Sequence, residues 1–190
     1  MDISAIKFIR ALLKALFIGF CIVIPILSFI KTNLKTLHLK ELFILQAINA
    51  VRIAGFLYAV TYLQEVNLVY FQKASAADAI TPAKLLPSAY FSYMFYPPLA
   101  YLLLTQLLWV KNAYTDKAPL LILCLILLIA PHWFYIMGLL RISEMDYYQP
   151  DWLLLLGNML RNTFQGLFVL FSITFILMLL SGKLKLRKAS

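Results

Sequence analysis

The stretch LFILQAINAVRIAGFLYAVTYL, residues 42–63, decides the fold, because it is apolar throughout except for a few polar side chains. At the helical rise of about 1.5 Å per residue it crosses the ~30 Å hydrocarbon core of a bilayer. Four further stretches have similar length and composition: residues 11–30, 90–110, 118–140 and 163–181. In lipid they must be helices, since an open strand would leave backbone groups without hydrogen bonds. The sequence therefore predicts an all-α polytopic membrane bundle of about five transmembrane helices, forming a single transmembrane domain over residues 1–190.

Composition agrees with this class. Hydrophobic residues make up 63% of the chain and charged residues only 13%, whereas a typical soluble domain carries about 25% charged residues. The net charge of +9 is concentrated beside the apolar stretches, which is typical of topology determinants and of contact with anionic lipid. No nucleic-acid-binding motif is present, so we expect membrane lipids and a membrane protein as partners, and no nucleic acid.

The two cysteines and two histidines do not suggest a metal or cofactor site. Cys21 and Cys124 both lie inside apolar stretches, and His38 and His132 are far apart in the sequence. This pattern matches neither a disulfide framework nor a zinc site. We expect no cofactor and no bound metal.

Basic residues also predict the orientation. With five spans, the basic segments 31–41 and 111–117 and the basic C-terminal tail share one side of the membrane. The positive-inside rule places that side in the cytoplasm of a cell inner (plasma) membrane. The N-terminus is left open, because Lys7, Arg10 and Lys14 share one helical face. With five spans residues 1–14 are outside; alternatively they form an interfacial amphipathic helix, or the region around Pro25 is re-entrant.

Arg52 falls at the midpoint of the stretch 42–63 and is the main polar exception in the chain. Placing an arginine at the centre of a membrane helix costs about 3 kcal/mol on insertion scales. None of the five predicted spans contains Asp or Glu. Arg52 is therefore either an internal brace bonded to carbonyl groups or a binding site for an anionic group or a partner helix.

Besides Arg52, the sequence contains two polar helix faces. Gln46 and Asn49 share a face with Ala50, as in helix–helix contacts within membranes. A second polar stripe consists of residues 158, 161, 162 and 165, at the helical spacing i, i+3, i+4 and i+7. It leads into the last predicted span and faces either water or a partner protein. The candidate partner- or lipid-binding residues are Gln46, Asn49, Arg52, Asn158, Arg161, Asn162 and Gln165.

Residues 49–53, NAVRI, resemble the N-x-x-R-I segment in a transmembrane helix of the exosortase/archaeosortase family. That family consists of membrane-embedded cysteine transpeptidases whose Cys, Arg and His occur in that chain order. The resemblance covers one helix and implies Cys21, Arg52 and His132 as catalytic residues. Cys21 is followed here by Ile22 and Val23 rather than by the family's small residues.

Apart from that resemblance, no catalytic motif is present. We therefore expect a non-enzymatic integral inner-membrane protein that binds another membrane component, either as an accessory subunit of a membrane assembly or as an immunity-type factor. The alternatives are an exosortase-like membrane cysteine transpeptidase and a small transporter or channel component.

Overall fold

The computed structural model of the chain describes residues 3–31, 33–68, 89–111, 115–129 and 152–181. Helices account for nearly all of these residues, and no strand occurs among them. The five helices are α1 (Ile3–Phe29), α2 (Leu34–Val66), α3 (Ala89–Leu107), α4 (Lys117–Ile129) and α5 (Trp152–Leu180). The predicted all-α class is confirmed.

Three of the described helices are long and apolar enough to cross a membrane. Their spanning segments are Ser4–Phe29 in α1, Thr36–Val66 in α2 and Gly157–Leu180 in α5. The apolar parts of α3 and α4, Pro98–Leu107 and Lys117–Ile129, are shorter. The rest of the predicted fourth span, residues 130–140, lies outside the described residues. The chain is thus a membrane protein with three described candidate spans.

Several helices extend beyond the apolar stretches that predict them. α1 starts at Ile3 rather than at residue 11 and continues without a break to Phe29. Residues 3–14 are therefore the first turns of α1, and not a separate interfacial helix. Likewise α2 runs from Leu34 to Val66 rather than over residues 42–63. Charged side chains at a helix end do not interrupt its backbone hydrogen bonds, so hydropathy alone underestimates helix length.

α1 lies at the centre of the bundle and packs against α2, α4 and α5. Its buried face is formed mainly by large apolar side chains, including Leu16, Phe17, Phe20 and Ile24, each at most 2% exposed. The buried face of α2 that joins the same core is made mostly of smaller residues, including Ala47, Val51 and Ala54. This pairing of large with small side chains lets the two helix axes approach closely.

The crossing of α1 and α5 depends on two glycines. A Cβ atom added to Gly19 would lie 2.1 Å from the backbone oxygen of Gly166. A Cβ added to Gly166 would lie 2.8 Å from the backbone oxygen of Ala15. No side chain larger than hydrogen fits at either position, so the two backbones are in direct contact. Such contacts supply the van der Waals attraction that drives helix association in lipid.

Side-chain pairs define the helix directions. Arg10 near the start of α1 meets Glu65 near the end of α2, and Phe17 contacts Tyr58 with their ring centroids 5.8 Å apart. Later residues in α1 thus meet earlier residues in α2, so the two helices are antiparallel.

α3 is also antiparallel to α2. A Cβ added to Gly55 would clash with the side chain of Thr105, while Arg52, one turn earlier in α2, bonds to Leu108. Because α3 runs opposite to α2, its C-terminal end arrives beside Arg52, and this places the candidate site.

Candidate functional site

Arg52 is buried between α2 and the end of α3, with only 9% of its surface exposed. Its Nε atom donates a hydrogen bond to the carbonyl oxygen of Leu108 at 2.9 Å, and its Nη2 atom donates to the same oxygen. Its Nη1 atom donates to Oδ1 of Asn49, one turn earlier in α2, at 3.0 Å. The guanidinium group thus has oxygen acceptors on both sides.

The Leu108 carbonyl is a suitable acceptor because of its position in the chain. α3 ends at Leu107, and the last carbonyl groups of a helix lack intrahelical partners and carry partial negative charge. Beyond Thr105 the backbone tightens, and the Leu108 N–H donates to the Thr105 oxygen at 3.2 Å. The C-terminal end of α3 therefore supplies partial negative charge to the guanidinium group of Arg52.

Two further α3-side residues complete this arrangement. The guanidinium carbon of Arg52 lies 4.8 Å from the centroid of the Trp109 ring, a cation–π contact. Nε2 of Gln106 donates to the backbone oxygen of Arg52 at 3.4 Å. We define the Arg52 brace as Asn49, Arg52, Gln106, Leu108 and Trp109.

The Arg52 brace joins α2 to the end of α3 through side-chain and backbone contacts of this chain. Of the two interpretations drawn from the sequence, these contacts favour the internal brace over an anion-binding site. Asn49 takes part in it directly, while Gln46 lies on the same helix and is also buried, at 9% exposure. The arrangement is suited to holding two helices together, since its donors already have acceptors within the protein.

The sequence does not reveal a second polar contact, near the start of α1. Nη1 of Arg10 lies 2.5 Å from Oε2 of Glu65, and the Arg10 guanidinium is 5.4 Å from the Tyr62 ring centroid. The observed α2 thus contains Glu41 and Glu65, whereas none of the predicted spans contains an acidic residue, because α2 extends beyond residues 42–63 at both ends. In the sequence, the basic helical face formed by Lys7, Arg10 and Lys14 is the feature that could have indicated this contact. The same pattern is also typical of a helix at a membrane surface.

The polar stripe on α5 lies on the outside of the described bundle. Asn158, Arg161 and Gln165 are exposed and Asn162 is partly buried. Beside them, a Cβ added to Gly157 would meet no atom within 4 Å. Within the described part of the chain, no hydrogen bond or ion pair involves these four side chains. We call these four residues the α5 stripe; it is separate from the Arg52 brace.

The structure brings Cys21 next to Cys124, on α4. Both side chains are buried and line the same cavity, which does not include Arg52. His132, the third residue implied by the family resemblance, lies outside the described residues. The described geometry pairs Cys21 with another thiol, and the implied Cys–Arg–His group stays a prediction.

Comparison with models of protein families, with characterised proteins and with solved structures found no match. Among the described residues, no group of three or more His, Cys, Asp or Glu side chains is placed to hold a metal ion. The functional evidence is therefore the arrangement of the chain's own side chains, above all the contrast between the enclosed Arg52 brace and the uncovered α5 stripe.

Proposed function

We propose that this chain is a non-enzymatic integral membrane protein of a bacterial-type inner membrane that binds another membrane protein through the α5 stripe. In this role it is an accessory subunit of a membrane assembly or an immunity-type factor. The single observation that supports the proposal is the exposure of Asn158, Arg161 and Gln165 on a helix that is otherwise apolar.

The position of the stripe within α5 makes its exposure costly. The candidate span Gly157–Leu180 includes all four stripe residues. Against lipid their amide and guanidinium groups would lose hydrogen bonds to water without replacement. A second protein that offers acceptors and donors at this depth would remove that cost, and polar contacts of this kind hold membrane helices together.

The chemistry of the stripe also indicates what the partner presents. Arg161 favours a carboxylate, with which a guanidinium forms two parallel hydrogen bonds. Asn158 and Gln165 can each donate to and accept from a neighbouring amide or hydroxyl group. The expected partner is a membrane helix that carries one acidic residue opposite Arg161, flanked by small or amide side chains.

The proposed orientation places the C-terminus in the cytoplasm. Lys31 follows α1, Lys111 follows α3 and Lys117 begins α4, and all three are exposed. Because α2 is antiparallel to both α1 and α3, α1 and α3 run in the same direction. Their C-terminal ends, followed by Lys31 and Lys111, therefore favour the same side of the membrane. Basic residues concentrate on the cytoplasmic side, where they also meet anionic lipid.

The test is co-purification of the full-length tagged chain from its native membrane in mild detergent, followed by mass spectrometry. The test variant is Arg161→Leu with Gln165→Leu. The matched control is Phe164→Leu with Phe168→Leu, on the same turns of α5, where both rings are at least 70% exposed. We expect the stripe variant to lose the partner and the control to keep it, with both variants inserted at the wild-type level.

Three results would contradict the proposal. The wild-type chain could purify as a lone monomer, or the stripe variant could retain the partner at full yield. The species released by the stripe substitutions could also be a phospholipid rather than a protein, which would make the stripe a headgroup site.

A further inference from the structure

The only two cysteines of this 190-residue chain come together across the interface of α1 and α4. Cys21 is 5% exposed and Cys124 is 2% exposed, and both side chains line the same cavity between the two helices. A disulfide has a sulfur–sulfur bond of about 2.05 Å, so the two thiols must close onto each other across this interface to form one. Both sulfurs are present as free thiols in this structure.

A cavity of about 330 Å³ adjoins this thiol pair. Besides the two cysteines it is lined by apolar residues only: Pro25, Leu121, Ile122, Leu125 and Leu128. Ile122 and Leu125 are each 58% exposed, so the cavity opens onto the outer face of the described bundle, where α4 has the composition of a membrane helix. Its volume is within the range of small-molecule sites, which are typically about 300–1,000 Å³ and mostly apolar.

The surroundings restrict which oxidants can reach these thiols. Exchange with glutathione or a thioredoxin-type protein requires an accessible thiolate at an aqueous surface. A cavity with an apolar lining, opening toward lipid, instead admits a reactant that is dissolved in the membrane. The reactant must also accept two electrons and two protons, because two thiols release both when they form a disulfide.

We propose that Cys21 and Cys124 are a redox-active thiol pair whose oxidant is a lipid-soluble quinone bound in the cavity between α1 and α4. Two S–H bonds break and one S–S bond forms. The two electrons and two protons pass to the two quinone oxygens, giving a hydroquinone. The disulfide links α1 to α4 covalently. The packing of these two helices therefore depends on the oxidation state of the membrane quinone.

The experiment uses the full-length chain reconstituted in phospholipid vesicles and treated with decylubiquinone. The ring of this quinone is fully substituted, so it does not add thiols directly. After denaturation, free thiols are counted with a maleimide-linked polymer, and hydroquinone is measured in parallel. We expect both thiols to be lost, the protein mass to fall by two hydrogens, and one hydroquinone to form per chain.

Three variants and a second oxidant make the test specific. Cys21→Ser and Cys124→Ser should each keep their one remaining thiol and form no hydroquinone. Leu125→Trp places a large side chain in the cavity and should slow quinone oxidation about tenfold by removing the quinone site. Copper–phenanthroline, which oxidises neighbouring thiols without using the cavity, should still link the two cysteines in Leu125→Trp.

Each alternative result overturns the proposal. If copper–phenanthroline forms the disulfide and decylubiquinone does not, the thiols are neighbours but the cavity is not a quinone site. If neither reagent forms it, the thiols are not a reactive pair. If Leu125→Trp reacts with decylubiquinone at the wild-type rate, the cavity is not the route of the electrons.

Discussion

Replacing Gly19 by alanine is expected to destabilise the fold, because α1 and α5 have no room for a Cβ atom at their crossing. The new carbon would lie 2.1 Å from the backbone oxygen of Gly166, whereas ordinary contact begins at 3.4 Å. The helices must therefore separate by roughly 1.3 Å at this point. Overpacking of this kind costs about 1–3 kcal/mol, and the better helix propensity of alanine offsets about 1 kcal/mol of that.

The net loss expected for Gly19→Ala is up to about 2 kcal/mol of unfolding free energy, which leaves it about 1–3 kcal/mol less stable than a Gly→Ala change that meets no clash. Gly157→Ala is the matched control, since it makes the same chemical change on α5 where nothing lies within 4 Å. It should leave stability unchanged or raise it by up to about 1 kcal/mol. Both values can be measured by unfolding in mixed detergent–SDS micelles. A Gly19→Ala protein as stable as the Gly157→Ala control would refute the close contact between α1 and α5.

Two further substitutions test the polar contacts. Arg52→Leu leaves the Leu108 carbonyl and the Asn49 amide oxygen without their donor; hydrogen bonds to a charged group contribute about 1.5–3 kcal/mol each. We expect Arg52→Leu to lose at least about 3 kcal/mol of unfolding free energy in the same micelle assay. Arg52→Lys should be intermediate in stability. Wild-type stability of Arg52→Leu would exclude the Arg52 brace. Glu65→Gln weakens the contact with Arg10, in which the two side chains are 31% and 14% exposed, so only about 0.5–1 kcal/mol should be lost. That loss should shrink at high salt, and a salt-independent loss would show that packing rather than charge is responsible.

Much of the fold follows from local properties of the sequence. Apolar runs of membrane-spanning length predict the helices, because in lipid each segment must satisfy its own backbone hydrogen bonds. The helix ends are less predictable. Arg10 and Glu65 both lie outside the apolar stretches, yet they belong to α1 and α2 and neutralise each other there.

The candidate site was predictable only in part. Hydropathy identifies Arg52 as a costly residue, and helical spacing groups Asn49 with it and identifies the α5 stripe. The sequence provides no means of choosing the Leu108 carbonyl as the acceptor for Arg52, since that choice depends on where α3 ends relative to α2. Similarly, the alternative that Arg52 binds a foreign anion loses its main support only when the acceptors inside the chain are known.

The amino-acid sequence by itself determined that this is an all-helical membrane protein, because hydrophobicity and backbone hydrogen bonding act within each segment. Only the tertiary structure decided which segments meet. The cavity shared by Cys21 and Cys124 and the contact between Gly19 and Gly166 each bring together residues more than one hundred positions apart. They form because small residues and complementary polar groups let particular helix faces approach, and that fit is a property of two surfaces together rather than of either sequence alone.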